Sequence, residues 1–523
     1  MTVQLTNLDF AVFAAYLVAV LGVGVWAARL ARRTKRDYFL AGDKLPWWMI
    51  GASIVASNIS SHQLIGLMGA AYACGFVNVI NDWAAILVGL NALLWIFLPF
   101  YLRNGFYTMP EFLQRRFGNG ARLVYSVLIL FTYVFVEISG VLYLGGLALN
   151  SLLGIPILCS VIVLGVLTAT YTVTGGLRAV IWTEMMQLVV LLGGAAVLSV
   201  ATFRAVGGWP AVVESSADWH ILLPASDPNY PWTMYLGSVL CVSTFYWAGN
   251  QFIVQRVLAT RSEWDARLGV VFADYLKFLM PLLIVAPGML AVRLYPNLER
   301  PDLVFPTLVQ GLLPKGLVGL VMAGLIAAVM SHVSGAINSS ATIATVDLYL
   351  PFLRPAASEQ EAVRFGRFAG VVVALSGMAW ADLMIAQSHR PIFLLLMDAY
   401  GYFAPGVGTM FLLGIFWKRT TQAGAVTAGV LSIPLSVAVQ LGWRGISFAN
   451  RTGLVFWACL GLCAAVSLVT RPKTDDELSG LIWNRESLRL PPDQRSRSRG
   501  LRNPVLWWIL ITVVVLYFYV RFP

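Results

Sequence analysis

Two polar interruptions of long apolar runs carry most of the chemistry that this sequence offers. The first is Gly51-Ala-Ser-Ile-Val-Ala-Ser-Asn-Ile-Ser-Ser-His-Gln-Leu-Ile-Gly66, where Asn58, His62 and Gln63 sit among small residues. The second is Ser243-Thr-Phe-Tyr-Trp-Ala-Gly-Asn-Gln251. In hydrocarbon every backbone N–H and C=O needs an internal partner, so non-helical backbone at membrane depth must line a cavity or be buried in protein. A helix break also supplies free carbonyls, the hard oxygen ligands that a sodium ion wants, with nearby hydroxyls to complete the shell. Small residues alone would fit close helix–helix packing. Asn58, His62, Gln63, Asn250 and Gln251 fit that reading less well, and the paired breaks point to a midplane site for a solute.

Composition decides what surrounds these stretches. The chain has 523 residues, 59% of them hydrophobic and 12% charged. Ordinary soluble domains are about 45–50% apolar and about 25% charged. So few ionisable groups cannot cover a water-facing surface, so a lipid bilayer is the solvent for most of the exterior. The formal net charge of +11 would suggest a nucleic-acid partner in a soluble protein. Here Lys and Arg lie in short loops between apolar runs, which is the positive-inside pattern, and no nucleic acid is expected. Cys74, Cys159, Cys241, Cys459 and Cys463 lie in or beside apolar runs without metal-ligand spacing and read as small core residues. No P-loop, metal cluster or nucleophile–base constellation in a soluble domain is visible, which argues against an enzyme, an ATP-driven pump and any organic cofactor.

The elements that must position the two breaks follow from length. A span needs about 20 apolar residues. Runs near 9–30, 46–74, 79–101, 122–150, 157–173, 178–204, 232–258, 269–294, 316–350, 365–386, 392–417, 423–442, 452–471 and 504–521 meet this, about fourteen helices. Residues 1–9 hold no basic residue before the first run, which reads as a retained helix rather than a cleavable signal. Odd-numbered loops hold Arg32, Arg33, Lys35 and Arg36, then Arg103 with Arg115 and Arg116, Arg178, Arg261 with Arg267, Arg354 with Arg364, Lys418 with Arg419, and the segment 471–502. This bias places both termini outside, with Arg293, Arg300, Lys315 and Arg390 as exceptions. The loop 207–230 carries Glu214, Asp218 and Asp227 and no basic residue, while His220 and His389 sit in outer loops with no strong signal. The two breaks lie five helix candidates apart, and an odd repeat length inverts the second half relative to the first.

Further stretches accompany the breaks: Tyr171-Thr-Val-Thr-Gly-Gly-Leu-Arg-Ala-Val-Ile-Trp-Thr-Glu184, Tyr246-Trp-Ala-Gly-Asn-Gln-Phe-Ile-Val-Gln-Arg256, Lys277-Phe-Leu-Met-Pro281 with Pro287-Gly288, Thr345-Val-Asp-Leu-Tyr349 and Phe411-Leu-Leu-Gly-Ile-Phe-Trp-Lys-Arg419. In these the chain resembles the sodium:solute symporter family, and within it the sodium/glucose cotransporters. The resemblance implies an all-α integral membrane protein with a LeuT-type core of two inverted five-helix repeats, residues 46–204 and 232–417. Flanking helices at 9–30, 423–471 and 504–521 and a cytoplasmic loop at 472–503 complete a single transporter domain, 1–523. It further implies a multi-pass cell-membrane protein that works as a monomer by alternating access.

The resemblance carries sodium ligands onto the carbonyls of Ala56 and Ile59 and onto Ala328, Ser331 and position 332. Positions 328, 331 and 332 are i, i+3 and i+4 and share one helix face. A family hydroxyl falls at position 332, and this chain has His332 there. Imidazole offers nitrogen and titrates near pH ~6.5 when unperturbed. Proton coupling, or loss of ion coupling, therefore stands beside sodium coupling in which His332 turns away and hydrogen-bonds a neighbour while sodium keeps one fewer side-chain ligand. Glu184 matches a family Asp linked to ion coupling, with pairing to Arg178 as the structural alternative and contact with His332 as a further one. For the solute the resemblance implies Asn58, Gln63, Asp82, Ser243, Tyr246, Trp247, Lys277 and Met397. Asp82 replaces a family Glu, and Met397 replaces a sugar-contacting Gln and offers only a weak acceptor. A mutual ion pair is the structural alternative for Lys277 and Asp82. The expected activity is sodium-driven symport of a sugar or polyol. The alternatives are proton coupling through His332 and Glu184, or an uncoupled solute sensor.

Overall fold

The computed structural model describes residues 6–30, 34–42, 45–208, 210, 214, 219–314, 316–384 and 391–523. Arg32, Arg33, Asp218, Lys315, His389 and Arg390, named above, lie outside them. Among the described residues the architecture is helical, and β contact is confined to two isolated bridges, Leu45 with Thr260 and Leu223 with Pro231. Eleven helical stretches there are long and apolar enough to cross a membrane. The sequence divides differently, into about fourteen, because the run expected at 232–258 holds only a shorter apolar helix, Ser238–Ala248, and because two of these stretches are very long: His62–Asn104 has 43 residues and Ile157–Ala205 has 49. At ~1.5 Å rise per residue the latter would reach about 73 Å, more than twice a hydrocarbon core of about 30 Å. It turns at Gly176, whose φ of 59° and ψ of −156° are open only to a residue without a side chain. The helices expected at 157–173 and 178–204 thus meet within the Tyr171-to-Glu184 motif.

The helices that build the site are, in chain order, α1 (Asn7–Leu30), α2 (Trp47–Asn58), α3 (Asn119–Thr132), α4 (Ser139–Leu153), α5 (Ile157–Ala205), α6 (Gln251–Leu258), α7 (Glu263–Met280), α8 (Val318–Thr342) and α9 (Ile392–Phe416). The centre is α8, in which every residue but Leu320 is buried. A helix apolar on all sides has no water-facing stripe and belongs inside a bundle. Its run of Gly, Ala and Ser lets neighbours approach closely. A Cβ on Gly324 would sit 3.2 Å from the carbonyl oxygen of Val190 on α5. Asp9 on α1 caps α8 from a distance, accepting from the Gly319 N–H at 2.7 Å. A carboxylate there satisfies an orphan donor and complements the positive helix end.

Both expected breaks are present. α2 ends at Asn58, and Ile59 is extended with φ −81° and ψ 112°. The chain resumes in a π-helical turn, His62–Leu67. The second break falls before Asn250, which is extended and caps α6 by accepting from the Phe252 N–H. Ser and Asn side chains compete with the helix for backbone groups, which accounts for the break lying where they cluster. The freed carbonyls are answered by side chains from other helices. Tyr125 donates to Gly249 at 2.6 Å, and Tyr101 donates to Ala248 at 2.8 Å.

Residues 474–503 do not hang free. Arg267, in the second turn of α7, donates to the carbonyls of Leu488 at 2.7 Å and Ser487 at 2.8 Å, and Gln494 accepts from the Trp264 N–H. The hydrophilic segment is strapped onto the end of the bundle.

Outside the spans, Asp302 caps α9, with both carboxylate oxygens 3.3 Å from the Ile392 N–H. Burial lifts its pKa from the ordinary 3.8 to about 7, against the pull of the Ile392 N–H and Arg300. A carboxyl with a raised folded-state pKa holds its proton better in the folded state, so its contribution to stability is lost as pH rises from 3.8 towards about 7. Asp302→Asn is expected to flatten the dependence of the melting temperature on pH across that window. A pH series of melting curves on the two proteins checks it.

Candidate binding site at the helix breaks

Asn58 closes α2, and Gln63 opens the chain beyond the break. With Ser243, Tyr246, Trp247 and Met397 they line one cavity beside the second break. Asn58 is the hub of this wall. Its Nδ2 donates to the Tyr246 hydroxyl at 3.0 Å, and its Oδ1 accepts from Gln63 Nε2 at 3.2 Å and from Lys277 Nζ at 2.5 Å. The Gln63 Oε1 is buried without a hydrogen-bond partner among the described residues. A buried acceptor left unpaired costs about 1–3 kcal/mol, so this atom is open to a further donor.

Two of the expected solute contacts lie elsewhere. Lys277 and Asp82 are fully buried and do not line the cavity; they pair with each other behind it. Lys277 also lies 5.6 Å from the centre of the Trp247 ring, a cation–π distance. Their place is one of support: the pair fixes Asn58 and Trp247, and those residues line the cavity.

The expected ion residues come together in part. Ser331 Oγ donates to the Ala56 carbonyl at 2.8 Å, so α8 meets α2 in its last turn. Ile59 and Ala328 are both fully buried. His332 meets two neighbouring groups. Its Nδ1 lies 2.7 Å from the carbonyl oxygen of Ser57, and its Nε2 lies 2.6 Å from Glu137 Oε2. The Tyr400 hydroxyl donates to the other oxygen of Glu137. Glu137 is absent from the sequence-derived set, although it is the sole acidic residue in the apolar run 122–150, a signal that marks functional positions by default.

Glu184 has other partners. It accepts from Arg256 Nη2 at 2.5 Å, from Ser57 Oγ at 2.6 Å and from Ser53 Oγ. The carboxylate on His332 is therefore Glu137, not Glu184. Through this cluster α5 holds both broken helices, since Ser53 and Ser57 belong to α2 and Arg256 to α6. Gly335 on α8 leaves room for the guanidinium, as a Cβ there would come within 2.6 Å of Arg256 Nη2. Both charged groups are completely buried. Their value lies in position: two helix breaks are pinned to one scaffold helix.

The sequence model of the sodium:solute symporter family matches residues 38–432. The chain belongs to the sodium:solute symporter family. It is 34% identical over 510 residues to the sodium/glucose cotransporter of Vibrio parahaemolyticus, covering 90% of this chain and 92% of that one. It is 36% identical over 532 residues to sodium/myo-inositol cotransporter 2 of Sus scrofa, covering 91% and 78%. Among solved structures, a substrate-bound, outward-open Na+-coupled sialic acid symporter superposes with a TM-score of 0.81 at 23% identity, over 90% of this chain and 100% of that chain. The fold is the LeuT-type helical bundle, and the protein is a multi-pass membrane protein of the symporter family. Within this symporter scaffold the cavity adjoins the first break, where the carbonyls of Ala56 and Ser57 meet α8.

Proposed function

We propose that this protein moves a sugar or polyol across the cell membrane together with sodium by alternating access. The observation that carries this reading is the cavity beside the paired breaks, with the unpartnered Gln63 Oε1 in its wall and the Ala56 carbonyl next to the Ser331 hydroxyl. The sugar and inositol cotransporters to which the chain is similar support the solute class. Asn58, Gln63 and Ser243 provide polar contacts for hydroxyls, and Tyr246 and Trp247 provide ring surfaces for the apolar face of a sugar. Met397 adds a weak acceptor only, which favours a solute with fewer hydroxyls to satisfy on that side. Sodium takes the carbonyls of Ala56 and Ile59 and the Ser331 hydroxyl, with Ala328 as the fourth element of the site.

Gln63→Ala is expected to raise the half-saturating solute concentration by about 2- to 12-fold, the worth of one net hydrogen bond, and to leave sodium activation in place. Uptake kinetics with glucose and myo-inositol, at fixed and at varied sodium, test it. An unchanged half-saturation for both solutes overturns the role of Gln63.

A second reading rests on His332. Both of its ring nitrogens face acceptors, the Ser57 carbonyl and the Glu137 carboxylate. A proton shared with Glu137 completes such an arrangement, and proton coupling then runs through His332 and Glu137, with Glu184 engaged by Arg256. Uptake driven by a proton gradient without sodium separates the two readings.

A further inference from the structure

Three residues that are distant in sequence converge in the wall of the cavity. His62 starts the turn after the first break, Glu137 belongs to the π-helical turn Tyr133–Ile138 between α3 and α4, and His332 lies on α8. One nitrogen of each imidazole and one carboxylate oxygen of Glu137 all lie within 4.8 Å of one another. All three residues are buried, and all three line the cavity.

We propose that His62, Glu137 and His332 form a binding site for a divalent transition-metal ion, with Zn2+ as the fitting example. Two imidazoles and one carboxylate are the nitrogen and oxygen donors that zinc and its neighbours take, with further positions left for water. Sodium and magnesium prefer all-oxygen shells and fit the set poorly. Bonds of about 2.0–2.2 Å to a tetrahedral ion set ligand atoms about 3.3 Å apart. The existing spread of up to 4.8 Å contracts to this, and the His332–Glu137 contact of 2.6 Å opens to it as the ion displaces the shared proton.

The surroundings are those of a metal site. A metal-bound histidine commonly donates its other ring N–H to a carbonyl, which fixes tautomer and orientation. His332 Nδ1 meets the Ser57 carbonyl in this way. Glu137 is steadied by the Tyr400 hydroxyl on the oxygen that does not face His332. His62 supplies the independent sign of an absent ligand: its Nε2 is buried without a hydrogen-bond partner among the described residues. The ring fits because residue 140, one turn on from Glu137, is glycine; a Cβ there would lie 2.7 Å from Nε2. A bound ion would tie the first break to α8 and to the α3–α4 turn, next to Gln63, and so hold the cavity in one state and block transport.

The test uses the purified full chain in detergent, and metal binding is read directly, apart from any transport activity. Zn2+ titrated by calorimetry is expected to bind at one equivalent per chain with proton release. Co2+ is expected to give the visible absorption bands of a nitrogen- and oxygen-ligated low-coordinate site, and Zn2+ to raise the melting temperature. His62→Ala and Glu137→Gln are each expected to weaken Zn2+ binding by at least ~10-fold. No saturable Zn2+ binding by the folded wild type, or binding unchanged by His62→Ala, overturns the proposal. Should Glu137→Gln fail to fold, His62→Ala decides, because the Nε2 of His62 holds no hydrogen bond among the described residues.

Discussion

Lys277→Ala is expected to destabilise the protein by about 3–5 kcal/mol, the cost of leaving one member of a buried ion pair without its counter-charge. The remaining Asp82 is fully buried, and the substitution also removes the Nζ contact to Asn58. Two measurements check this. Melting of the purified variant should fall well below that of the wild type. The double variant Lys277→Met with Asp82→Leu should recover much of the loss, since replacing both partners by apolar groups of similar size is often close to neutral. Solute affinity should stay weakened in the double variant, because Asn58 and Trp247 lose their support. A single variant as stable as the wild type would contradict the placement of the pair behind the cavity.

The second large effect is at Arg256. Arg256→Met strands Glu184 among the hydroxyls of Ser53 and Ser57, again at a cost of about 3–5 kcal/mol. Arg256→Lys should restore only part of it, since a point charge does not reproduce a planar fork that serves Glu184 and Ser53 together. Glu184→Gln should be milder in a background that already carries Arg256→Met than in the wild type, because the two residues couple. A thermal double-mutant cycle reads this coupling. Additive losses would mean that the pair contributes nothing as a unit.

Much of the architecture is legible before any coordinates. The breaks announce themselves because Ser57, Asn58, Ser60, Ser61 and Asn250 are poor residues for a membrane helix interior, and lipid offers no other reason to keep them. The turn at Gly176 shows as a Gly-Gly pair between two apolar runs. Pairing is harder to read, because it depends on which faces meet across the bundle. Lys277 and Asp82 stand 195 positions apart and Arg256 and Glu184 stand 72 apart, so nothing local says that the first pair turns from the cavity or that the second excludes His332. Glu137 carries a local signal, as a lone carboxylate in an apolar run. Its partner His332 was singled out only as a departure from a hydroxyl, and the two needed the three-dimensional packing to be joined. The His62–Glu137–His332 cluster was invisible for the same reason: a metal cluster drawn from three separate spans leaves no spacing motif.

Coupled movement of a sugar or polyol is seen only across a sealed membrane. Purified protein in sealed liposomes, with radiolabelled glucose and myo-inositol outside, tests it most directly under an imposed sodium gradient and separately under a proton gradient. Sodium-coupled symport predicts accumulation of at least one of the two solutes above its external concentration when sodium is directed inward, and collapse of that accumulation when the sodium gradient is removed. Accumulation that follows the proton gradient alone, or solute binding without accumulation under either gradient, would contradict it.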